Sequence, residues 1–265
     1  MPELPEVEAG RKVADRAARN KAIARVEVAE DPIVYENVPA ETIRRALKNR
    51  TVLATHRHGK HTWFELDRRP WPLFHFGMTG AFFAYRTPED RPRFWKIDLA
   101  FEDGTRLAMT NARRLGRIRL REDPASEDPI AGLGFDPVHA LPPPKDFVDR
   151  VRRKKAVLKG LLLNQSFIAG VGNWIADEVL FQAQLDPRRS ANSLSDGEAR
   201  KLRAVLARVL DRAVKVDADE TRFPAGWMFH RRWGKKDGQR TTRGDAVEFM
   251  TVAGRTTAWV PNVQK

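Results

Sequence analysis

The sequence predicts an α+β protein of more than one domain. A short N-terminal helix and an antiparallel β-sandwich or barrel precede a helical domain and a terminal β-hairpin. Three observations predict this order. Short strand-like runs follow one another between residues 23 and 121, three prolines interrupt the chain at 142–144, and an apolar stripe of helical period comes later. With 265 residues, 42% of them hydrophobic, the chain can bury the cores of two domains and carry an appendage.

Residues 5–19 lack β-branched runs and set Val7, Gly10, Ala14 and Ala17 at helical spacing, with Pro5 acceptable in a first turn. The strand-like runs are 24–28, 52–56, 62–66, 73–76, 81–85, 97–101 and 106–110. Asp103-Gly104 between the last two is a strong hairpin signal, and successive short strands read as an antiparallel sandwich or barrel. Leu141-Pro142-Pro143-Pro144 favours an extended connector and marks the domain boundary. Beyond it, Ser195-x-x-Glu198 is a capping box, and Leu202, Val205, Leu206, Val209, Leu210 and Ala213 form a one-sided stripe. After Phe223-Pro224 the chain turns aromatic and basic, with strands expected at 247–252 and 256–260 around Ala253-Gly254-Arg255. That tail is too short for a core of its own. The expected domains are 1–140, 141–222 and 223–265.

Forty-eight Lys and Arg against thirty-five Asp and Glu leave a formal net charge of +13, a broad attractive field for a polyanion. Nucleic acid is the leading partner, and charge serving only solubility is the competing explanation. The absence of cysteine excludes disulfides, thiol nucleophiles and thiolate-held zinc. No apolar run approaches the roughly 18 residues of a membrane span, and MPELPEVEAGRK has no apolar signal-peptide core. A soluble intracellular monomer is expected, in cytoplasm and nucleoid if bacterial and in the nucleus if eukaryotic.

The chemistry begins at Pro2-Glu3-Leu4-Pro5-Glu6-Val7-Glu8. On its own this also reads as an acidic helix start, since carboxylates are favoured near a helix N-terminus. Removal of Met1, however, would make Pro2 a secondary amine. An α-amino group has an ordinary pKa near 8, so a useful fraction is neutral and nucleophilic at physiological pH.

This stretch resembles the N-terminus of the formamidopyrimidine-DNA glycosylase family, which shares its scaffold with endonuclease VIII. His56-Arg57-His58-Gly59-Lys60-His61, His75-Phe76-Gly77-Met78-Thr79-Gly80 and Asn111-Ala112-Arg113-Arg114-Leu115-Gly116 resemble further family segments in the same order. The run from Leu163 through Gly170-Val171-Gly172-Asn173-Trp174 resembles the family's helix–two-turn–helix element. Read without that context, it is a helical hairpin with an Asn cap. The two glycines would permit a tight turn, and Asn173 would direct its side chain and backbone amides toward a phosphate.

The resemblance implies an N-terminal helix on an antiparallel β-sandwich, a helical domain with the helix–two-turn–helix, and double-stranded DNA with damaged bases or abasic sites as partner. It implies Pro2 as the nucleophile at C1′, Glu3 as general acid/base, Glu6 as positioning the amine and first helix, and Lys60 as binding the phosphate beside the lesion. His75, Lys159, Asn173 and Arg255 would also bind DNA. Met78, Arg113 and Leu115 would fill the vacancy left by the extruded nucleotide. Structurally, Met78 and Leu115 could instead be core residues. Leu115 stands where bacterial members commonly carry Phe, so it should stack less on the neighbouring base. A histidine metal cluster at His56, His58, His61 and His75 is the alternative for those side chains. Neither HExxH nor a carboxylate spacing supports it, and the imine mechanism needs no metal or other cofactor.

Bacterial members end in a four-cysteine zinc finger whose hairpin inserts an arginine at the lesion phosphate. Here the four positions are Arg240, Arg243, Val260 and Val263, while Gly254-Arg255 is kept. A zincless finger is expected, held by Trp227, Phe229, Trp233, Phe249 and Trp259, as in the plant and fungal branch. The other reading of these aromatics is a tail with no DNA role. The segment 214–229 is shorter than the loop that covers 8-oxoguanine in bacterial members. Formamidopyrimidines, hydantoins and abasic sites are therefore expected to be better substrates than 8-oxoguanine. Two other functions compete. A non-catalytic binder of damaged DNA is disfavoured by the retention of Pro2, Glu3 and Lys60, and an RNA binder leaves the N-terminus unexplained.

Overall fold

A helix, α1 (Leu4–Ala18), opens the first of two units in this computed structural model, which describes residues 2–234 and 238–265. The units are Met1–Gly132 and Leu133–Lys265. Pro5 sits in the first turn of α1, where a missing N–H leaves no intrahelical acceptor unserved. Gly10 faces the sheet. A Cβ there would lie 2.7 Å from the Phe76 ring, so the bare backbone is what lets the helix settle on the strands.

The rest of the unit runs β1 (Lys21–Val28), α2 (Ala40–Leu47), β2 (Thr51–His58), β3 (His61–Leu66), β4 (Trp71–His75), β5 (Ala81–Tyr85), β6 (Trp95–Phe101), β7 (Arg106–Thr110) and β8 (Arg117–Arg121). All pairs are antiparallel, in the order β5-β7-β6-β1-β2-β3-β4-β8. β1 belongs to both halves: Lys21 and Ala22 pair with β2, and residues from Ile23 onward pair with β6 after a register shift. The sheet folds over at that point. Phe64 and Phe74 from one half meet Phe82 from the other at ring separations of 5.6 and 5.1 Å. The shared core also holds Ile97, Leu99, Leu107, Met109 and Ile118. This is the sandwich. The turn at Asp103-Gly104 closes as expected, with Gly104 at φ +79 and its N–H donating to Phe101.

One helix and one strand of this unit, α2 and β8, were not among the sequence expectations. α2 buries Ala40, Ile43 and Leu47 but spans only 8 residues, too few for a clear helical period. β8 places Ile118 and Leu120 toward the core between three arginines, an alternation that charge obscures.

The second unit contains α3 (Pro144–Arg152), α4 (Leu158–Leu163), α5 (Asn173–Ala183), α6 (Asp196–Lys215) and the hairpin β9 (Glu248–Val252) and β10 (Arg255–Trp259). Its start lies before the proline run, not after residue 140. Gly134 N–H donates to Gln165 at 2.8 Å and Phe135 bridges Ile168, which ties this stretch to the helices. The prolines do not form an extended connector throughout, because Pro144 is the first residue of α3. α6 keeps its Ser195–Glu198 capping box and buries the whole expected stripe.

Residues 223–265 group with the helices rather than standing alone, and the reason is Asp177 on α5. Its carboxylate is buried and accepts from Lys159 Nζ (2.5 Å), from Arg232 Nη2 (3.0 Å) and from the backbone N–H of Ala258 on β10 (3.3 Å). Replacing Asp177 with alanine would strand two buried cations. We expect Asp177→Ala to lower the unfolding free energy by about 3–5 kcal/mol, measured by urea denaturation. A loss below 1 kcal/mol would show that the hairpin is held otherwise.

Candidate functional site

Eight of the eleven expected site residues lie in the first unit, gathered by three structural devices. The first is the start of α1. Pro2 is half-buried and precedes the helix, and Glu3 is its buried N-cap. Glu3 and Glu6 form a reciprocal capping box, with Glu3 N–H donating to Glu6 Oε2 at 3.0 Å. The Glu6 carboxylate is thus engaged in fixing the first turn.

The second device ties that helix to the turn carrying Lys60. Glu8, one turn on, accepts from Arg57 Nε at 2.9 Å and from Arg11 Nη2 at 2.8 Å. Burial alone would raise the Glu8 pKa, but the two guanidinium groups hold it below the ordinary carboxylate range. Arg57, fully buried at its side chain, also donates through Nη1 to the carbonyl of Gly59 at 3.0 Å. Gly59 and Lys60 form the two-residue link between β2 and β3, with Gly59 at φ +57. The same register sets His61 opposite His75, ring centroids 4.7 Å apart. Lys60 and His75 are therefore brought together by strand pairing. Gly77 N–H donates to His75 Nδ1 at 3.2 Å. The neutral ring consequently carries its proton on Nε2, where it can donate to an anion.

The third device joins the two loops that carry Met78, Arg113 and Leu115. Asn111 is fully buried. Its Nδ2 donates to the Phe76 carbonyl at 2.8 Å, and its Oδ1 accepts from Gly116 N–H at 2.9 Å. Gly77, at φ +62, lies so close to Leu115 that a Cβ would approach its carbonyl carbon to 2.4 Å. Arg114, at φ +55, is pinned to Asp31 by both Nε and Nη2. Arg113 and Leu115 are exposed, and Met78 is half-buried. Leu115 is 44% exposed, which excludes the core reading for it.

The other three expected residues lie in the second unit, and two differ from expectation. Lys159 does not present its ammonium at the surface. It is fully buried and donates to Asp177, to the Thr256 carbonyl (3.2 Å) and to Thr257 Oγ1 (2.7 Å). Asn173 is the first residue of α5, but its Nδ2 also donates to the Thr256 carbonyl, at 2.9 Å, so the side chain is turned onto the hairpin. Its Oδ1 is buried without a hydrogen-bond partner. Gly170, at φ +92, needs glycine; Gly172, at φ −125, does not for that reason. Arg255 stands exposed at the start of β10. The turn before it is two residues, Ala253 and Gly254, both at positive φ, rather than three.

The finger has its own small cluster of Met228, Val247, Ala258 and Val260, with Phe181 of α5, Phe249 and Val263 packed on it. Of the positions that align with zinc ligands, Val260 and Val263 are in or on this cluster, and Arg240 and Arg243 are exposed. None offers a zinc donor. Among the described residues no group of three or more His, Cys, Asp or Glu is placed to hold a metal. Trp227 and Phe229 pack with Trp174 and Phe223, and Trp259 lies under Arg188. Trp233 is half exposed and meets only the edge of this group, at Phe229. No helix among the described residues is long and apolar enough to cross a membrane.

Comparison with known proteins covers both units. Residues 1–118 match the formamidopyrimidine-DNA glycosylase N-terminal domain, 133–225 the formamidopyrimidine-DNA glycosylase H2TH domain, and 227–261 the formamidopyrimidine-DNA glycosylase-like C-terminal domain. A formamidopyrimidine-DNA glycosylase of Arabidopsis thaliana is 38% identical over all of this chain and 71% of its own length. One from Pelobacter propionicus is 32% identical over the full length of both. Among solved structures, a Lactococcus lactis FPG mutant in complex with a Fapy-dG containing DNA superposes with a TM-score of 0.87. It is 25% identical and covers all of both chains.

The histidine pair yields a pH dependence. Burial, with Lys60, Arg119 and Arg117 nearby, lowers His75 to about 4. Burial and then His75, Arg119, His58 and Lys60 lower His61 to about 3. The ordinary value is near 6.5. As pH falls below that value, the unfolded chain takes up these protons first, and folded stability drops through the window down to the lowered pKa values. We expect the parent to lose more thermal stability between pH 7 and pH 5 than a His61→Gln/His75→Gln variant, by scanning calorimetry. Parallel pH profiles would overturn the assignment.

Proposed function

Since the chain belongs to the formamidopyrimidine-DNA glycosylase family and is a DNA glycosylase of base excision repair, we propose that it excises oxidised bases through an imine on Pro2 and then cuts the strand. The observation that carries this reading is the Glu8–Arg57–Gly59 linkage. It couples the helix start bearing Pro2 and Glu3 to the turn bearing Lys60 within one unit. Met1, whose removal would expose the Pro2 amine, lies outside the described residues.

In the proposed sequence, the neutral Pro2 amine attacks C1′ of the extruded nucleotide and the base departs with a proton. Glu3 supplies and accepts protons at the opening sugar. The resulting iminium acidifies the C2′ hydrogen, and β- and then δ-elimination release the two phosphates. Lys60 and the Nε2–H of His75 bind the phosphate beside the lesion, and Arg255 adds a contact from the hairpin. Lys159 and Asn173 act through the hairpin instead: both hold the Thr256 carbonyl, one residue from Arg255. Met78, Arg113 and Leu115 fill the vacated stack.

The partner is double-stranded DNA, as in the relative bound to a Fapy-dG containing DNA. Formamidopyrimidines, hydantoins and abasic sites are the proposed substrates, with 8-oxoguanine weaker. The segment after α6 supports this order, because Phe223 and Trp227 are buried against Trp174. Anchored in this way, little of it is left to close over a base.

Borohydride trapping tests the chemistry. The parent should become covalently joined to lesion duplex, and Pro2→Gly should abolish trapping and cleavage while binding stays within about tenfold, or roughly 1.4 kcal/mol. Lyase activity retained in full would remove Pro2 as nucleophile, and a parent that binds lesion DNA without being trapped would favour a non-catalytic binder. For the hairpin, Arg255→Ala should reduce the slope of log K against log salt by about 0.9. An unchanged slope and affinity would show that Arg255 touches no phosphate.

A further inference from the structure

Arg91-Pro92-Arg93-Phe94-Trp95-Lys96 leads into β6 and interleaves aromatic with basic residues. Within it Phe94 is 55% exposed. Exposure of one phenylalanine is ordinary. Its backbone is not: φ is +60, the left-handed region that a bulky side chain adopts only under constraint. The constraint is visible. The Phe94 carbonyl accepts from Asn111 N–H at 2.9 Å, and Asn111 is the residue whose side chain clasps the two void-filling loops. Phe94 is thus one hydrogen bond from the base of the loop that carries Arg113 and Leu115. The ring is held out of the core, and the Arg93 guanidinium lies 5.2 Å from its centroid. Strained backbone maintained at a solvent-facing aromatic is the pattern of a functional position rather than of packing.

We propose that Phe94 is a DNA-contacting, specificity-determining residue that stacks on the damaged duplex beside the void-filling loops and supplies the aromatic surface that Leu115 lacks. This rests on the proposed DNA-repair function but not on the imine chemistry. Arg93 and Arg113, both exposed, draw the polyanion to the same place. Base–aromatic stacking then adds affinity, with a modest ranking set by how strongly each base stacks.

The test uses the full-length protein, a duplex with a tetrahydrofuran abasic analogue, and 2-aminopurine as the opposite base. Phe94→Gly removes both ring and strain, and Phe94→Leu keeps an apolar side chain without the ring. Phe94→Gly should melt at or above the parent temperature, because glycine accepts the left-handed backbone. It should nevertheless bind about tenfold more weakly, lose the 2-aminopurine fluorescence change and flatten the ranking of opposite bases. Phe94→Leu should also lose the fluorescence change. Unaltered affinity, ranking and fluorescence in Phe94→Gly would overturn the proposal, as would a melting temperature that falls together with affinity. Failure of the parent to bind the duplex would overturn it together with the repair function. A parent that binds and shows the Phe94 dependence but is not trapped by borohydride would remove only the imine chemistry.

Discussion

The buried ion pair between Glu8 and Arg57 is the contact on which the first unit's site depends. An arginine with no exposed side-chain surface needs its counter-charge, and removing one partner of such a pair costs about 3–5 kcal/mol. Glu8 also serves Arg11, which reaches Thr55 Oγ1 at 2.9 Å, and Thr55 in turn donates to Asp15. Helix and strand are therefore cross-linked along several turns. Because Arg57 also holds the Gly59 carbonyl, the first turn of α1 and the turn bearing Lys60 share one electrostatic anchor.

The second unit repeats this logic with a different charge set. Asp177 balances Lys159 and Arg232 and accepts from the strand that follows Arg255. This chain places an apolar cluster at Val260 and Val263 and a buried ionic hub at Asp177 beside the hairpin. Packing and charge neutralisation thereby orient an arginine-bearing turn. Lys159 and Asn173, which the resemblance would set against DNA, both donate to the Thr256 carbonyl of this hairpin.

The loops that carry Met78, Arg113 and Leu115 show how small polar groups set the aim of larger ones. Asn111 joins the loop after β4 to the loop after β7, and Arg114 ties the second to Asp31. Burial would raise the Asp31 pKa, yet Arg114 and Lys96 lower it to about 2, so the anchor remains charged at any physiological pH. Loops fixed in this way can hold exposed side chains ready for an unstacked duplex with little ordering left to do on binding.

Strand and helix periods, the Asp103-Gly104 turn, the α6 cap and the order of the motif segments were determined by the sequence alone, because each is encoded in neighbours along the chain. The proposed site residues Pro2, Glu3 and Lys60 were likewise named from short segments contiguous in the sequence. Tertiary structure decided the rest: that the prolines open α3, that residues 133–140 join the helices, that Lys159 is buried, and that Asn111 and Arg57 position the site. These depend on partners 49 residues apart for Glu8 and Arg57, 35 for Phe76 and Asn111, and 98 for Lys159 and Thr257. No local pattern specifies which buried polar group a distant chain segment will bring to satisfy another, and it is that pairing which burial makes obligatory.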